Sequence, residues 1–282
     1  MVQKPGRNNM AWSLYQVSFR LLSPIHIGWK KTGNLQQTRP YVTGRNMWGA
    51  LTARLGRDHG GTNYQDVGKK VDEQLRFSYL YPTINSDYGK IPDQIKILPW
   101  NNFYDFSWLY LGSYSSTALN NKTADDGTLH ETECIFPKTR KGDQVYLLGY
   151  IFEKTGCDLS WKNALQRIQF GGERGYGWGR VEIVNSPKQC DKYFEYDVDV
   201  TEESPIIKVP KDKCILAHTL VGGLEQLGEI EPFVGRDTTA KNDFGGNVSS
   251  ANICWIPGGV VNKDKLFKIC PKGLWKEASK KV

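Results

Sequence analysis

The chain has 282 residues, 39% of them hydrophobic, enough to fill a substantial core. Lys and Arg exceed Asp and Glu by 37 to 30, a net charge of +7 that favours attraction to phosphate but lacks the charge density of a histone-like protein. The cysteines Cys134, Cys157, Cys190, Cys214, Cys254 and Cys270 never approach CxxC spacing and the four histidines are scattered, so no zinc site is readable. Without a signal-like segment or an apolar run of membrane-spanning length, the chain reads as a cytoplasmic protein with reduced thiols and no membrane partner. Nine Trp, fourteen Tyr and eleven Phe are many for this length. Most belong in a core, but several lie in Gly-rich or basic stretches where they suit base stacking.

In chain order, Leu14 to Leu22 comes first: Tyr15, Val17, Phe19 and Leu21 alternate with Gln16, Ser18 and Arg20, which predicts a strand with one buried face. After Ser23-Pro24 and a polar stretch, Thr43-Gly44 opens a helix with Met47, Trp48, Leu51 and Leu55 on one stripe. A second helix is expected over Gln65 to Gln74, then a strand from Arg76 to Tyr81 stopped by Pro82. The stretch 83–130 has no clear period and is longer than an ordinary loop, which marks it as an insertion. Glu131 to Phe136 and Gln144 to Phe152 read as a hairpin joined by the basic turn holding Lys138, Arg140 and Lys141. A helix capped by Asp158 or Ser160 carries Trp161, Leu165 and Ile168, and Arg180 to Val184 reads as a strand.

Strand, helix, strand, strand, helix, strand is the ferredoxin-like order, so 12–186 reads as one α+β, RRM-like domain with an insertion at 83–130. Residues 187–282 read as a connector followed by a reduced β-rich lobe packed on the first, ending in a lysine-rich, solvated tail.

The chemistry concentrates in Gly171-Gly-Glu-Arg-Gly-Tyr-Gly-Trp-Gly179. Gly171, Gly172, Gly175, Gly177 and Gly179 free the backbone for positive φ and close approach to another chain. Arg174 and Arg180 add charge for phosphate, and Tyr176 and Trp178 add flat faces for bases or ribose. A tight hairpin without a ligand fits the same glycines. The stretch is neither a Walker loop nor a dinucleotide fingerprint, because no Gly-Lys-Ser/Thr follows and the glycines come after a helix and before a strand, so no nucleotide cofactor is expected.

Gly171 to Val181 resembles the glycine-rich loop of the RAMP superfamily of CRISPR-associated proteins, where a helix runs into GGxRxxGxGR and a hydrophobic residue. Leu22-Ser-Pro-Ile-His-Ile-Gly28 and Tyr41-Val-Thr-Gly-Arg-Asn-Met-Trp-Gly-Ala-Leu51 resemble that superfamily's first strand exit and first helix, in the same order. Family members that process the guide carry the loop near their C terminus, whereas about a hundred residues follow it here. The mid-chain position resembles the Cas family-five-like subunits that cap the crRNA 5′ handle in type III and related systems. Ile253 to Val260 is similar to a late strand and Pro-Gly turn of that group. The resemblance implies a non-catalytic, crRNA-binding subunit docked on a backbone RAMP subunit, alongside a nuclease or large subunit, with target RNA as a further partner. It implies RNA contacts from Arg45, Arg54, Lys138, Arg140, the Gly-rich loop and His26, and an insertion that serves as a thumb.

Two other assignments stay open. His26 as general base would make the chain a metal-independent endoribonuclease acting on precursor crRNA, although a satisfied structural histidine between Ile25 and Ile27 is the commoner outcome. Asp125 and Asp126 loosely fit the metal-assisted target cleavage of a backbone subunit lining the guide–target duplex, against a plain solvated turn at Asp126-Gly127. No metal is expected.

Overall fold

The computed structural model describes residues 11–61, 63–87, 98–222, 226–237 and 245–278. Its elements begin with β1 (Trp12–Leu21), β2 (Gly28–Thr32), β3 (Leu35–Thr38), α1 (Gly44–Asp58), α2 (Tyr64–Gln74), β4 (Leu75–Phe77), β5 (Tyr81–Thr83) and α3 (Phe103–Tyr110). There follow β6 (Leu111–Ser116), β7 (Leu119–Asn120), β8 (Thr123–Ala124), β9 (His130–Ile135), β10 (Tyr146–Lys154), α4 (Trp161–Ala164) and β11 (Val181–Ile183). The remainder is strands: β12 (Lys188–Gln189), β13 (Lys192–Tyr193), β14 (Tyr196–Asp199), β15 (Ile206–Val209), β16 (Thr219–Leu220), β17 (Gln226–Leu227) and β18 (Ile230–Phe233). The last are β19 (Arg236–Asp237), β20 (Asn247–Val248), β21 (Asn252–Trp255), β22 (Val260–Val261), β23 (Lys265–Ile269) and β24 (Trp275–Glu277). The fold is mixed α+β, rich in strands and poor in helices.

A central antiparallel sheet runs β11-β1-β10-β4, with β12 also on β1 and β5 also on β10. Side chains alternate across a strand, so Val17, Phe19 and Leu21 of β1 and Leu147 and Ile151 of β10 face one way, into a core with Met47, Leu51 and Leu55 of α1 and Trp161 of α4. Trp12 and Leu14, with Leu148, Tyr150 and Phe152, face the other way. There they meet Tyr193, Ile207, Phe267, Ile269 and Trp275 of a second sheet, ordered β13-β14-β15-β23-β24-β16-β21-β18. The strand read as having one buried face therefore buries residues on both, because the C-terminal lobe covers its back.

Several expectations change for local reasons. Pro82 lies inside β5 opposite Leu147; the strand pairs only with β10, so a residue without an N–H is tolerated there. The expected hairpin 131–152 exists only at its tip, where Thr139 N–H donates to Asp143 O at 2.8 Å. Its two strands part company: β9 joins the separate sheet β2-β3-β9-β6, while β10 fills the central sheet. The described part of the insertion is folded: α3 buries Phe106, Leu109 and Tyr110, β6 pairs along β9, and the β7–β8 ribbon forms an exposed tip. Asp125 and Asp126 sit exposed at its base, where Asp125 N–H donates to Ala118 O at 2.9 Å.

The stretch read as a connector supplies β12 to β15 and buries Tyr193, Tyr196, Ile207 and Val209. The lysine-rich end is not a solvated tail up to residue 278. Lys265 is buried against Glu277 and Trp275 is fully buried; Lys280 and Lys281 lie outside the described residues. No helix among the described residues is long and apolar enough to cross a membrane.

The lobes meet backbone to backbone. Thr43 caps α1, its Oγ1 accepting from Asn46 N–H at 3.2 Å, and Gly44 abuts Gly273 so closely that a Cβ on Gly44 would lie 2.7 Å from Gly273 Cα.

Candidate nucleic-acid interface

Gly171 (φ +77°) and Gly179 (φ +83°) adopt backbone that favours glycine, and a Cβ on either would collide with a carbonyl oxygen, His26 O at 2.2 Å and Phe170 O at 2.1 Å. The loop is strapped to the exit of β1. Gly172 N–H donates to His26 O (2.9 Å), Gly179 N–H to Pro24 O (2.8 Å) and Leu22 N–H to Arg180 O (3.0 Å). Two sequence motifs distant in the chain are thus one structural unit.

Beside this unit lies a cleft of about 630 Å³ between the first lobe and the β18–β19 edge of the second. Among the described residues, Lys30, Arg39, Arg45, Arg174 and Arg236 line it, with Glu231 the one carboxylate in the lining and Asp237 just outside it paired with Arg45. Its floor includes Gly171 and Gly172, and the start of α1 forms one wall. Arg174 folds back over the loop, donating from Nε to Gly171 O and from Nη2 to Gln169 O, both at 3.1 Å. Carbonyls hold the guanidinium without neutralising it, so its charge remains available to an anion.

One wall is fixed by a chain of buried side chains. Tyr79 O–H donates to His218 Nδ1 (2.6 Å), and His218 Nε2–H donates to Glu231 Oε1 (2.6 Å), which also accepts from Arg39 Nη1 (2.6 Å). Trp29 Nε1–H donates to Glu231 Oε2 at 2.8 Å. Burial drives the imidazole down to about 4, with Arg39 adding to it and the Glu231 hydrogen bond opposing it. His218 is therefore neutral, and its contact with Glu231 is a hydrogen bond rather than an ion pair. Burial alone would raise Glu231, but the hydrogen bond from His218 and the Arg39 charge bring it down to about 2. Arg39 carries the ion pair, and Lys30 Nζ stands 4.1 Å from the Trp29 ring centroid at the cleft wall.

The cleft gathers His26, Arg45, Gly171, Gly172 and Arg174 from the sequence candidates. His26 is buried, with Nδ1 donating to Glu133 O at 2.7 Å and Nε2 near Gly28 on the cleft side. Arg54 is elsewhere: nine residues after Arg45, at 100° per residue, it stands on the opposite face of α1 and pairs with Asp58 at 2.5 Å. Lys138 and Arg140 occupy the turn beside α3, where Arg140 N–H donates to Leu109 O at 3.2 Å, and they do not line the cleft. Trp178 rests against Tyr114 of β6 with centroids 5.4 Å apart, so a protein ring takes one of the contacts assigned to a base. Tyr176 is 71% exposed beyond it. Arg180 has an exposed side chain, and its backbone N–H donates to Ser23 Oγ. Gly175 has neither a positive φ nor a neighbour within 4 Å, and Gly177 (φ +80°) faces open space.

Sequence reasoning missed Trp29, Lys30, Arg39, Glu231 and Arg236. The run Trp29-Lys30-Lys31 carried the basic-aromatic signal, whereas Arg39 and the second-lobe residues become neighbours of the loop only through the tertiary fold. Among the described residues, no three His, Cys, Asp or Glu side chains gather as a metal site.

None of the curated protein sequences matches this chain. Among solved structures, "Cryo-EM structure of the Type III-B Cmr-beta bound to cognate target RNA and AMPPnP, state 1" contains a similar chain at 13% identity and TM-score 0.50, covering 87% of this chain and 85% of that one. "Cryo-EM structure of the Type III-B Cmr-beta bound to cognate target RNA" contains another at 13% identity and TM-score 0.48, covering 87% and 86%. At that identity the first likeness is one of fold. The family model described as RAMP superfamily matches residues 18–182, more than half of the chain and the segment that holds both strapped motifs. The chain belongs to the RAMP superfamily.

Proposed function

We propose that this protein is a non-catalytic RNA-binding subunit of a CRISPR effector ribonucleoprotein, holding the 5′ handle of crRNA in the cleft and docking a backbone subunit. One observation carries the reading: among the described residues five cationic side chains line, with one carboxylate, a cleft floored by the backbone of Gly171 and Gly172. That arrangement suits a phosphodiester chain, which needs charge along its track and close backbone approach. Family membership supports it, as does the presence of similar chains in Cmr-beta structures with bound target RNA. The strand order β11-β1-β10-β4 with α1 and α4 on one face supports the ferredoxin-like, RRM-like description of the first lobe. The projecting β6–β9 arm with its β7–β8 tip supports a thumb that reaches a neighbouring subunit or the guide–target duplex.

The test is affinity for labelled handle RNA as a function of salt. Arg174→Ala and Lys30→Ala should each weaken binding by about 1–3 kcal/mol if the contact is charge-assisted, and log K should fall as log salt rises. An affinity indifferent to salt and to both substitutions overturns the reading.

A second reading draws on His26. Its Nδ1 is anchored on Glu133 O, which leaves Nε2 on the cleft side as a general base would require. Incubation with precursor crRNA separates the two: a subunit that only holds the guide returns it uncut, whereas site-specific cleavage lost in His26→Ala makes the protein a processing endoribonuclease.

A further inference from the structure

At the mouth of the cleft a carboxylate sits where an external anion would sit. Asp237 Oδ1 accepts from Arg45 Nη2 at 2.5 Å and from Lys272 Nζ at 2.9 Å, so cations from α1 and from the turn before β24 converge on one oxygen. Neither cation is free to wander. Gly235 lies so near Arg45 that a Cβ there would fall 1.8 Å from Arg45 Nε, and Lys272 Nζ stands 4.6 Å from the Trp48 ring centroid. Arg45 Nε is buried under Gly235 and has no hydrogen-bond partner among the described residues, so it is a donor that becomes available for two-point contact with an oxyanion only when the Gly235–Asp237 segment moves aside. The side chains of Arg45, Lys272 and Asp237 are 13%, 23% and 31% exposed, so the acid is the outermost of the three.

The element that brings Asp237 here is slight. β19 and β20 pair over two residues, Arg236 with Val248 and Asp237 with Asn247, and the ribbon belongs to neither large sheet. A two-stranded ribbon of this length has little stability of its own, so moving this end of the cleft wall costs little compared with moving β18, which is paired with β21 in the large sheet.

We propose that Arg45 and Lys272 form a phosphodiester-binding subsite which Asp237 closes in the RNA-free protein, its carboxylate standing in for a phosphate oxygen and leaving when RNA enters. The proposal rests on the RNA-binding reading above and adds to it the subsite and its internal competitor. An isolated anion must displace Asp237 for one contact, whereas an RNA strand that also engages Arg174 and Lys30 displaces it with the rest of the cleft already bound. The carboxylate therefore favours polyanions over single phosphates.

The test compares wild type with Asp237→Asn for binding of a fluorescently labelled single-stranded RNA of repeat sequence. Removing the competing charge should tighten binding roughly 3–10-fold at physiological salt and steepen the salt dependence by about 0.7 for each phosphate gained. The gain should vanish when Arg45→Ala and Lys272→Ala are added. Equal or weaker binding by Asp237→Asn at an unchanged melting temperature overturns the subsite and makes Asp237 a clamp that positions Arg45. A readout that needs no change at Asp237 is the ¹⁵N-resolved Nε–H resonance of Arg45, assigned with Arg45→Lys: it should shift when RNA saturates the wild-type protein, and an unmoved resonance overturns the proposal. Absence of RNA binding by wild type and variant alike overturns the function proposed above, whereas binding by wild type without the gain overturns only the subsite.

Discussion

Gly171 and Gly175 share one loop but answer to different constraints. At Gly171 a Cβ would meet His26 O at 2.2 Å with φ at +77°, whereas at Gly175 it would enter open space. Gly171→Ala should therefore destabilise the protein by about 1–3 kcal/mol and disturb the cleft floor, while Gly175→Ala should stay within roughly 0.5 kcal/mol of wild type. Thermal melts of the two variants check this. The glycine cluster was visible in the sequence, but which glycines are obligatory was not, because the colliding atoms, His26 O for Gly171 and Phe170 O for Gly179, come close only through the fold. His218 gives a second residue-level consequence. Its native pKa, about 4, lies below the usual histidine value near 6.5, so the unfolded chain binds the extra proton first. Stability from this group is complete above about pH 6.5 and is lost as pH falls through about 4. Melting temperature should drop across that window, and His218→Gln, which cannot titrate there, should flatten the drop. A slope unchanged in that variant would assign the acid sensitivity to other groups.

Periodicity located β1 and α2 to within about two residues, and the start of α1, because each packs against the core along a regular stripe. It misjudged partnership. Nothing local in Glu131 to Phe152 shows that β9 and β10 enter different sheets; Pro137, without an N–H to donate, ends β9 and the chain leaves the sheet there. In β12 to β15 the apolar signal is diluted because one strand face is wet: Ile207 and Val209 are buried while Lys208 between them is exposed. The break between β4 and β5 depends on Gly149 of β10. A Cβ there would lie 2.5 Å from Leu80 Cδ2, 2.6 Å from Tyr79 O and 2.7 Å from Ser78 Oγ, and Ser78 Oγ accepts from Tyr150 N–H at 2.6 Å. Gly149→Val should cost about 1–3 kcal/mol or more by overpacking, read as a lowered urea midpoint with little change in m.

At the scale of the whole molecule, the division into a first domain and a reduced lobe understates how the core is shared. Tyr79, Tyr81, Leu148, Tyr150 and Phe152 sit in one cluster with Tyr193, Ile207, Phe267 and Trp275 of the second lobe, joined by Tyr41 and Trp100 of the first. Truncation after Val184 should therefore expose an apolar face and give aggregated protein, and the full chain should unfold in one transition. Trp275→Ala, at a fully buried site between the sheets, should cost about 3–5 kcal/mol and lower that transition as a unit. Two separate transitions would show that the lobes fold independently. The Gly44–Gly273 contact and the Tyr79–His218–Glu231–Arg39 chain join the two walls of the cleft before any RNA arrives. The consequence is calorimetric. Binding between walls that are joined except at the short β19–β20 ribbon buries the contact surface and little else, so the heat-capacity change on RNA association should be small and the binding enthalpy nearly flat with temperature, without the large negative value that accompanies folding on contact.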